Sequence, residues 1–191
     1  MTMGRRRQFD DLGVARAARD VFWERGYAST SLADLEVATG LSRSSLYQAY
    51  GSKMGLFDRA VASYCDDFMW PIIEPLEADG AGRDEIIAYF LALAHHLRGP
   101  VSVASRGCLM ANTASELTIL GATATEAVRA YRDRRHRALL HALKAVDGIQ
   151  NSEVKAELLS AAQMGLMITA RFDPARAAAV AEAIAADVKT W

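Results

Sequence analysis

Cysteine and proline are scarce, with two and four among 191 residues. Cys65 and Cys108 stand far apart, so no disulfide framework is expected and a cytoplasmic, reducing setting fits. No apolar run reaches the length of a membrane span, and the basic start Met-Thr-Met-Gly-Arg-Arg-Arg has no apolar core behind it. Neither a membrane anchor nor a signal peptide is therefore expected. Long β-branched alternation is missing as well, while helix formers dominate, which predicts an all-α protein. Histidine is sparse and badly spaced for metal. His95 and His96 are adjacent, and His136 and His141 are five apart, so none makes the i, i+3 or i, i+4 pair of a helical metal site. No Ser/His/Asp arrangement, phosphate-cradling glycine loop or paired-carboxylate motif is present. The sequence thus predicts no catalytic residues, no metal and no cofactor: a protein that binds and is not an enzyme.

A net charge of −1 looks wrong for a nucleic-acid binder until it is divided along the chain. Residues 1–60 hold nine Lys/Arg against seven Asp/Glu, and residues 61–191 hold thirteen against sixteen. The basic charge gathers at Arg5, Arg6, Arg7, Arg43 and Lys53. A local patch, and not overall charge, is what phosphate binding needs.

The densest information lies in residues 30–57. Ser31 can cap a short helix, with Asp34 completing a capping box. That helix runs to Thr39, and Gly40 lets the chain leave it in left-handed backbone. Ser42 caps a second helix, which turns Leu46 and Tyr50 inward and exposes Arg43, Ser44, Ser45, Tyr47 and Gln48. Ser52 starts another, with Lys53 at its first turn. This is the layout of a helix-turn-helix. Asp34 fills the first helix start from within. No acid stands three residues after Ser42 or Ser52, so their N–H groups are predicted to stay open for an external phosphate.

The segment resembles the N-terminal DNA-binding domain of the tetracycline-repressor-like (TetR/AcrR) family of bacterial transcription regulators. The resemblance is carried by Thr30-Ser31-Leu32, Ala38-Thr39-Gly40-Leu41-Ser42, Ser45-Leu46-Tyr47, and Gly51-Ser52-Lys53 with Leu56-Phe57. It covers residues 9–58 in detail and the later chain only in layout. Two departures stand out. Glu36 replaces a usual alanine at the helix crossing, so it must bend outward or widen the crossing. Ala49 and Tyr50 replace a usual histidine and phenylalanine, and Tyr50 brings a hydroxyl that needs a partner.

Past the motif, helical periodicity predicts a helix from about residue 11 to Arg25, capped by Asp10 or Asp11. Another runs from Ser52 until Pro71 stops or kinks it. Further helices are expected at about 83–98, 107–117, 122–146, 152–171 and 174–189, which makes about nine in all. Residues 101–106 resist assignment. The arginine run Arg129, Arg132, Arg134, Arg135, Arg137 reads as a solvated face, and Cys108 as an ordinary buried cysteine. Trp70, Phe90, Met110, Asn112, Thr113, Glu116, Met164 and Met167 each read singly as core. Together they mix flexible sulfur, rings and a few polar groups, as the lining of a small-molecule cavity does. The alanine-rich last two helices, about 152–189, suit pairing with a second copy as a four-helix homodimer interface, as the resemblance also implies.

The expected molecule is therefore an all-α homodimer. Residues 1–58 form a helix-turn-helix domain binding an operator in double-stranded DNA, and residues 59–191 a ligand-sensing and dimerisation domain. Its function would be transcription regulation, as a repressor released by a small-molecule effector. Arg43 and Gln48 would reach base edges. Thr30, Ser31, Ser42, Ser44, Ser45, Tyr47 and Lys53 would complete the DNA contacts, mostly on phosphate. Arg5–Arg7 would serve either as a solubilising tail or as an arm on the duplex. The other reading is a helical small-molecule-binding protein whose helix-turn-helix is not used on DNA.

Overall fold

A computed structural model describes residues 10–191. Arg5–Arg7 lie outside the described residues. Eleven α-helices follow one another, with no strand among the described residues. They are α1 Asp11–Arg25, α2 Leu32–Thr39, α3 Arg43–Tyr50, α4 Lys53–Tyr64, α5 Trp70–Glu77, α6 Arg83–Leu97, α7 Val101–Ala104, α8 Leu109–Ala114, α9 Leu117–Lys144, α10 Ser152–Thr169 and α11 Pro174–Val188. The chain divides into two compact units, the first ending at Tyr64 and the second beginning at Cys65.

The N-terminal unit is built by packing α1 on α4, with α2 and α3 attached at one end. Ala15 and Ala18 are fully buried, so the two long helices approach closely. Phe22 meets Phe57 edge-on at 5.1 Å, and Trp23 meets Tyr64 at 4.9 Å. Each such buried ring stabilises the unit by about 2 kcal/mol. Leu35 of α2 and Leu46 of α3 are the buried anchors of the two short helices.

In the C-terminal unit α6 packs along α11, and α9 packs on α5, α8 and α10. Ala177, Ala178, Ala181 and Ala185 are all buried within the subunit. These four alanines bring α11 close to its own α6, while Ala175, Ala179, Ala183 and Ala186 of the same helix are exposed. Larger apolar residues of α10 and α11 are exposed as well: Val154, Leu158, Ile168 and Val180. With Lys155, Ala162, Ile184 and Trp191, Leu158 and Val180 line a groove of about 550 Å³. No single helix among the described residues is long and apolar enough to cross a membrane.

Two local expectations change. Pro71 does not stop its helix. A π-turn over Cys65–Met69 widens the backbone ahead of it, and Pro71 then occupies the first turn of α5, where a missing N–H costs nothing. Residues 101–106, unassigned from sequence, begin with the single turn of α7. The long basic helix begins after Gly121, as expected: Gly121 (φ 77°, ψ −160°) leaves helical geometry and sets residues 117–120 of α9 apart from the rest.

Candidate nucleic-acid interface

Short helices need strong ends, and α2 has both. The Ser31 hydroxyl accepts from Asp34 N at 3.1 Å, while the Asp34 carboxylate accepts from Ser31 N at 2.8 Å. Arg25 adds a 2.5 Å ion pair to the same carboxylate. Hydrogen bonds to Ser31, then the charge of Arg25, hold the Asp34 carboxyl below the usual carboxylate range. Gly40 closes α2 in left-handed backbone (φ 68°, ψ 8°) with its N–H on Glu36 O. The Ser42 hydroxyl then accepts from Ser45 N at 3.3 Å and opens α3.

Leu46 is buried on the inner face of α3, while Arg43, Ser44, Tyr47, Gln48 and Ala49 are exposed and Ser45 is half-buried. The Arg43 guanidinium lies 5.7 Å from the Tyr47 ring centre. The hydroxyl of Tyr50 donates to Asp11 Oδ1 at 2.9 Å, and Arg59 Nε donates to Asp11 Oδ2 at 2.8 Å. Asp11 thus joins α1, α3 and α4 at one carboxylate, and it does not cap α1. Asp10 is the residue preceding the helix, and its side chain makes no capping bond. Burial alone would raise the Asp11 carboxyl, but the bonds from Arg59 and Tyr50 outweigh it and hold the group low. Burial, and then Asp11, push the Tyr50 phenol far above its ordinary value.

Two of the expected phosphate contacts are corrected. Thr30 is buried, and its hydroxyl donates to Gly26 O at 2.6 Å. It fastens the α1–α2 turn and does not face solvent. The start of α3 is not open: Glu36 bends along the helix crossing, and its Oε1 accepts from Arg43 N at 2.6 Å. An internal carboxylate therefore sits where a phosphate was expected. Ser52 does open α4 by accepting from Gly55 N at 3.0 Å. Lys53, however, is pinned beside that start, with Nζ donating to Tyr27 O at 2.5 Å and lying 4.2 Å from the Tyr27 ring centre.

Glu36 has a measurable consequence. A carboxylate at this helix end opposes an approaching phosphate by roughly 0.3–1 kcal/mol. Glu36→Gln keeps an acceptor for Arg43 N–H and removes only the charge. It should tighten binding to duplex DNA of any sequence by about two- to fivefold. Weaker binding, read by fluorescence anisotropy, would mean instead that the charge is needed to hold α3 in place.

The residues expected to line a ligand cavity are distributed unevenly over the C-terminal unit. Phe90, Met110 and Met167 are buried, while Trp70, Glu116 and Met164 are half-buried. Asn112 Nδ2 donates to Arg106 O at 3.0 Å, and the Thr113 hydroxyl donates to Leu109 O at 2.8 Å. Both polar groups thus serve the local backbone. Trp70 lies under Arg134 at 4.3 Å, and Arg134 itself grips Glu77 through two bonds of 2.8 and 2.7 Å. Cys65 and Cys108 are buried and free, and burial pushes the Cys65 thiol up to about 12. Among the described residues no group of three or more His, Cys, Asp or Glu is placed to hold a metal ion.

Residues 14–60 match the family model described as bacterial regulatory proteins, tetR family. The chain is 40% identical over 114 residues to the uncharacterized HTH-type transcriptional regulator YezE of Bacillus subtilis, covering 60% of this chain and 58% of that one. It is 34% identical over 116 residues to the HTH-type transcriptional repressor ComR of Escherichia coli, covering 60% and 54%. The chain thus spans little more than half the length of these two relatives. Among solved structures, a cysteine mutant of the TetR family transcriptional regulator CifR, complexed with 26-bp double-strand operator DNA, superposes with a TM-score of 0.72. That match has 27% identity and covers 98% of this chain and 100% of the other. The fold is also that of the reduced form of NemR from Escherichia coli (TM-score 0.79, 19% identity, 95% and 96% covered).

Proposed function

Because the chain belongs to the tetR family of bacterial regulatory proteins, we propose that it is a sequence-specific DNA-binding transcriptional regulator, a repressor released from its operator by a small-molecule effector. DNA binding is assigned to the residues up to about 58, and effector sensing and dimerisation to the rest. The observation that carries this reading is the outer face of α3. Arg43, Ser44, Tyr47 and Gln48 stand exposed on a helix whose other side is anchored by Leu46 and by the Tyr50–Asp11–Arg59 cluster. A helix held this firmly can enter a major groove without first being ordered. The similarity to a repressor and to a regulator bound to operator DNA supports it.

Arg43 and Gln48 read base edges in this proposal. Ser31, Ser44, Ser45, Tyr47 and Lys53 position the helix on phosphates. The exposed apolar residues of α10 and α11 form the homodimer interface, so two copies of α3 meet successive major grooves about 34–36 Å apart or somewhat more. An effector that prefers the conformation with the wrong spacing lowers operator affinity by its differential affinity for the two states. No bond is made or broken, and the protein acts in the cytoplasm.

Anisotropy titration with the DNA flanking the protein's own gene tests the proposal. The expected result is binding at least about a thousandfold tighter than to random duplex at the same salt. Equal affinity for both would leave a helical ligand binder with an unused helix-turn-helix. Lys53→Ala should weaken binding to every sequence and lower the slope of log K against log salt by about one. An unchanged slope removes Lys53 from the phosphate contacts.

A further inference from the structure

Five arginines crowd the middle of α9, and four behave as a solvated run should. Arg129, Arg132 and Arg137 are exposed, and Arg134 is paired with Glu77. Arg135 differs: it lies on the buried stripe with Tyr131, Ala138, Leu139 and Ala142, and only 1% of it is exposed. Its Nη1 donates to the Tyr131 hydroxyl at 3.2 Å and to Gln163 Oε1, and its Nη2 donates to the Ser160 carbonyl at 3.3 Å. Every one of these partners is neutral. Burial pushes the Tyr131 and Tyr89 phenols well above their ordinary range, so neither supplies a negative charge.

A guanidinium stays protonated in proteins, so the charge cannot be avoided by losing a proton. A desolvated cation held only by neutral groups carries a penalty of several kcal/mol. Among the described residues three buried polar atoms on the helices that carry or contact it also lack partners: Nε of Arg135 itself, the Tyr89 hydroxyl and Ser160 Oγ. They come from α9, α6 and α10, and the charge of Arg135 is felt at the Tyr89 phenol. Unpartnered buried polar atoms are rare in folded proteins. Three of them on the helices that carry or contact one unneutralised cation share a single remedy, which is an acceptor bearing one negative charge.

We propose that this cluster recognises the effector, and that the effector is a small organic carboxylate held by Arg135, Tyr89 and Ser160. The inference rests on the regulator reading above and names the ligand class for it. A carboxylate offers two oxygens with room for three donors, and its single charge balances a single guanidinium. A phosphate dianion would leave net charge in the core. The apolar body of the ligand lies against the rings of Tyr89 and Tyr131. Buried Met110 and Met167, on the helices that pack with α9, are flexible enough to adapt to it.

The test uses the full chain and four probes at matched ionic strength: sodium benzoate, sodium hexanoate, benzamide and sodium chloride. Thermal unfolding should show at least one carboxylate raising Tm by about 5 °C near saturation, with benzamide and chloride inactive. Arg135→Gln removes the charge but keeps hydrogen bonding, and should weaken carboxylate binding at least about 30-fold. Tyr89→Phe should weaken it several-fold and otherwise melt as the parent does. The proposal is overturned if neither carboxylate raises Tm, if chloride does so equally well, or if Arg135→Gln keeps the full response. Should Arg135→Gln fail to fold, Tyr89→Phe decides by the same criterion. Anisotropy on the operator separates the two readings. A protein that binds no DNA loses the regulator reading, while the thermal response to carboxylate stands or falls by itself.

Discussion

Gly55→Ala should weaken DNA binding strongly by forcing the α3–α4 turn open and lowering the melting temperature of the N-terminal unit. Gly55 lies in the first turn of α4, where alanine would ordinarily gain almost 1 kcal/mol of helix propensity. Here a Cβ would sit 2.1 Å from the carbonyl oxygen of Tyr50, the last residue of α3. That oxygen is backbone, so it can retreat only if the α3–α4 turn opens, and Gly51 at φ 75° already fixes that turn. Opening it draws Tyr50 away from Asp11 and loosens Leu46 in its site. Overpacking of this kind costs about 2–4 kcal/mol net. In a unit of this size that corresponds to a fall in Tm on the order of 10 °C. Circular dichroism melting of the full chain checks it, with Gly165→Ala as the control. Gly165 lies in α10 with nothing within 4 Å of its missing Cβ, so that change should raise Tm slightly. A Gly55→Ala protein that melts as the parent does and still binds operator would show that the turn yields without cost.

The same turn shows what the sequence could and could not disclose. Gly40, Ser42, Gly51 and Ser52 announce their roles by residue type. Left-handed backbone and helix caps are local demands that few side chains meet, so the short helices and their inward Leu46 were legible. Thr30 was misread because a hydroxyl beside a cap looks the same whether it faces phosphate or bonds to Gly26 O four residues back. Glu36 was seen as a departure but not located. Its carboxylate reaches Arg43 N, seven residues on, and only the angle between α2 and α3 decides which way it bends. Arg135 was hidden by its company. Four solvated arginines around it set the apparent character of the helix, although its spacing of four from Tyr131 and three from Ala138 marks the buried stripe. The helix past Pro71 was lost for a different reason: a π-turn is a backbone choice with no residue signature, and it removes the clash on which a proline stop depends.

Arg43→Ala should cost about 1–3 kcal/mol on the operator and erase preference at one base pair, while changing affinity for random duplex much less. Arg43 is the first residue of α3, the end of a recognition helix that approaches base edges. Its backbone is held from behind by Glu36, so the start of its side chain is fixed in space. Among the described residues the guanidinium has its ring contact with Tyr47 at 5.7 Å and makes no ion pair with a carboxylate. A guanidinium presented in this way matches the two acceptors of a guanine edge, O6 and N7, with two parallel donors. The neighbouring exposed groups, Ser44 and Tyr47, offer hydroxyls that suit phosphate oxygens and carry no comparable discrimination. Affinities measured for the variant against operators changed one base pair at a time would locate the lost preference. A loss equal on every operator and on random DNA would instead assign Arg43 to the sugar-phosphate backbone and leave Gln48 as the exposed side chain of α3 best suited to read a base.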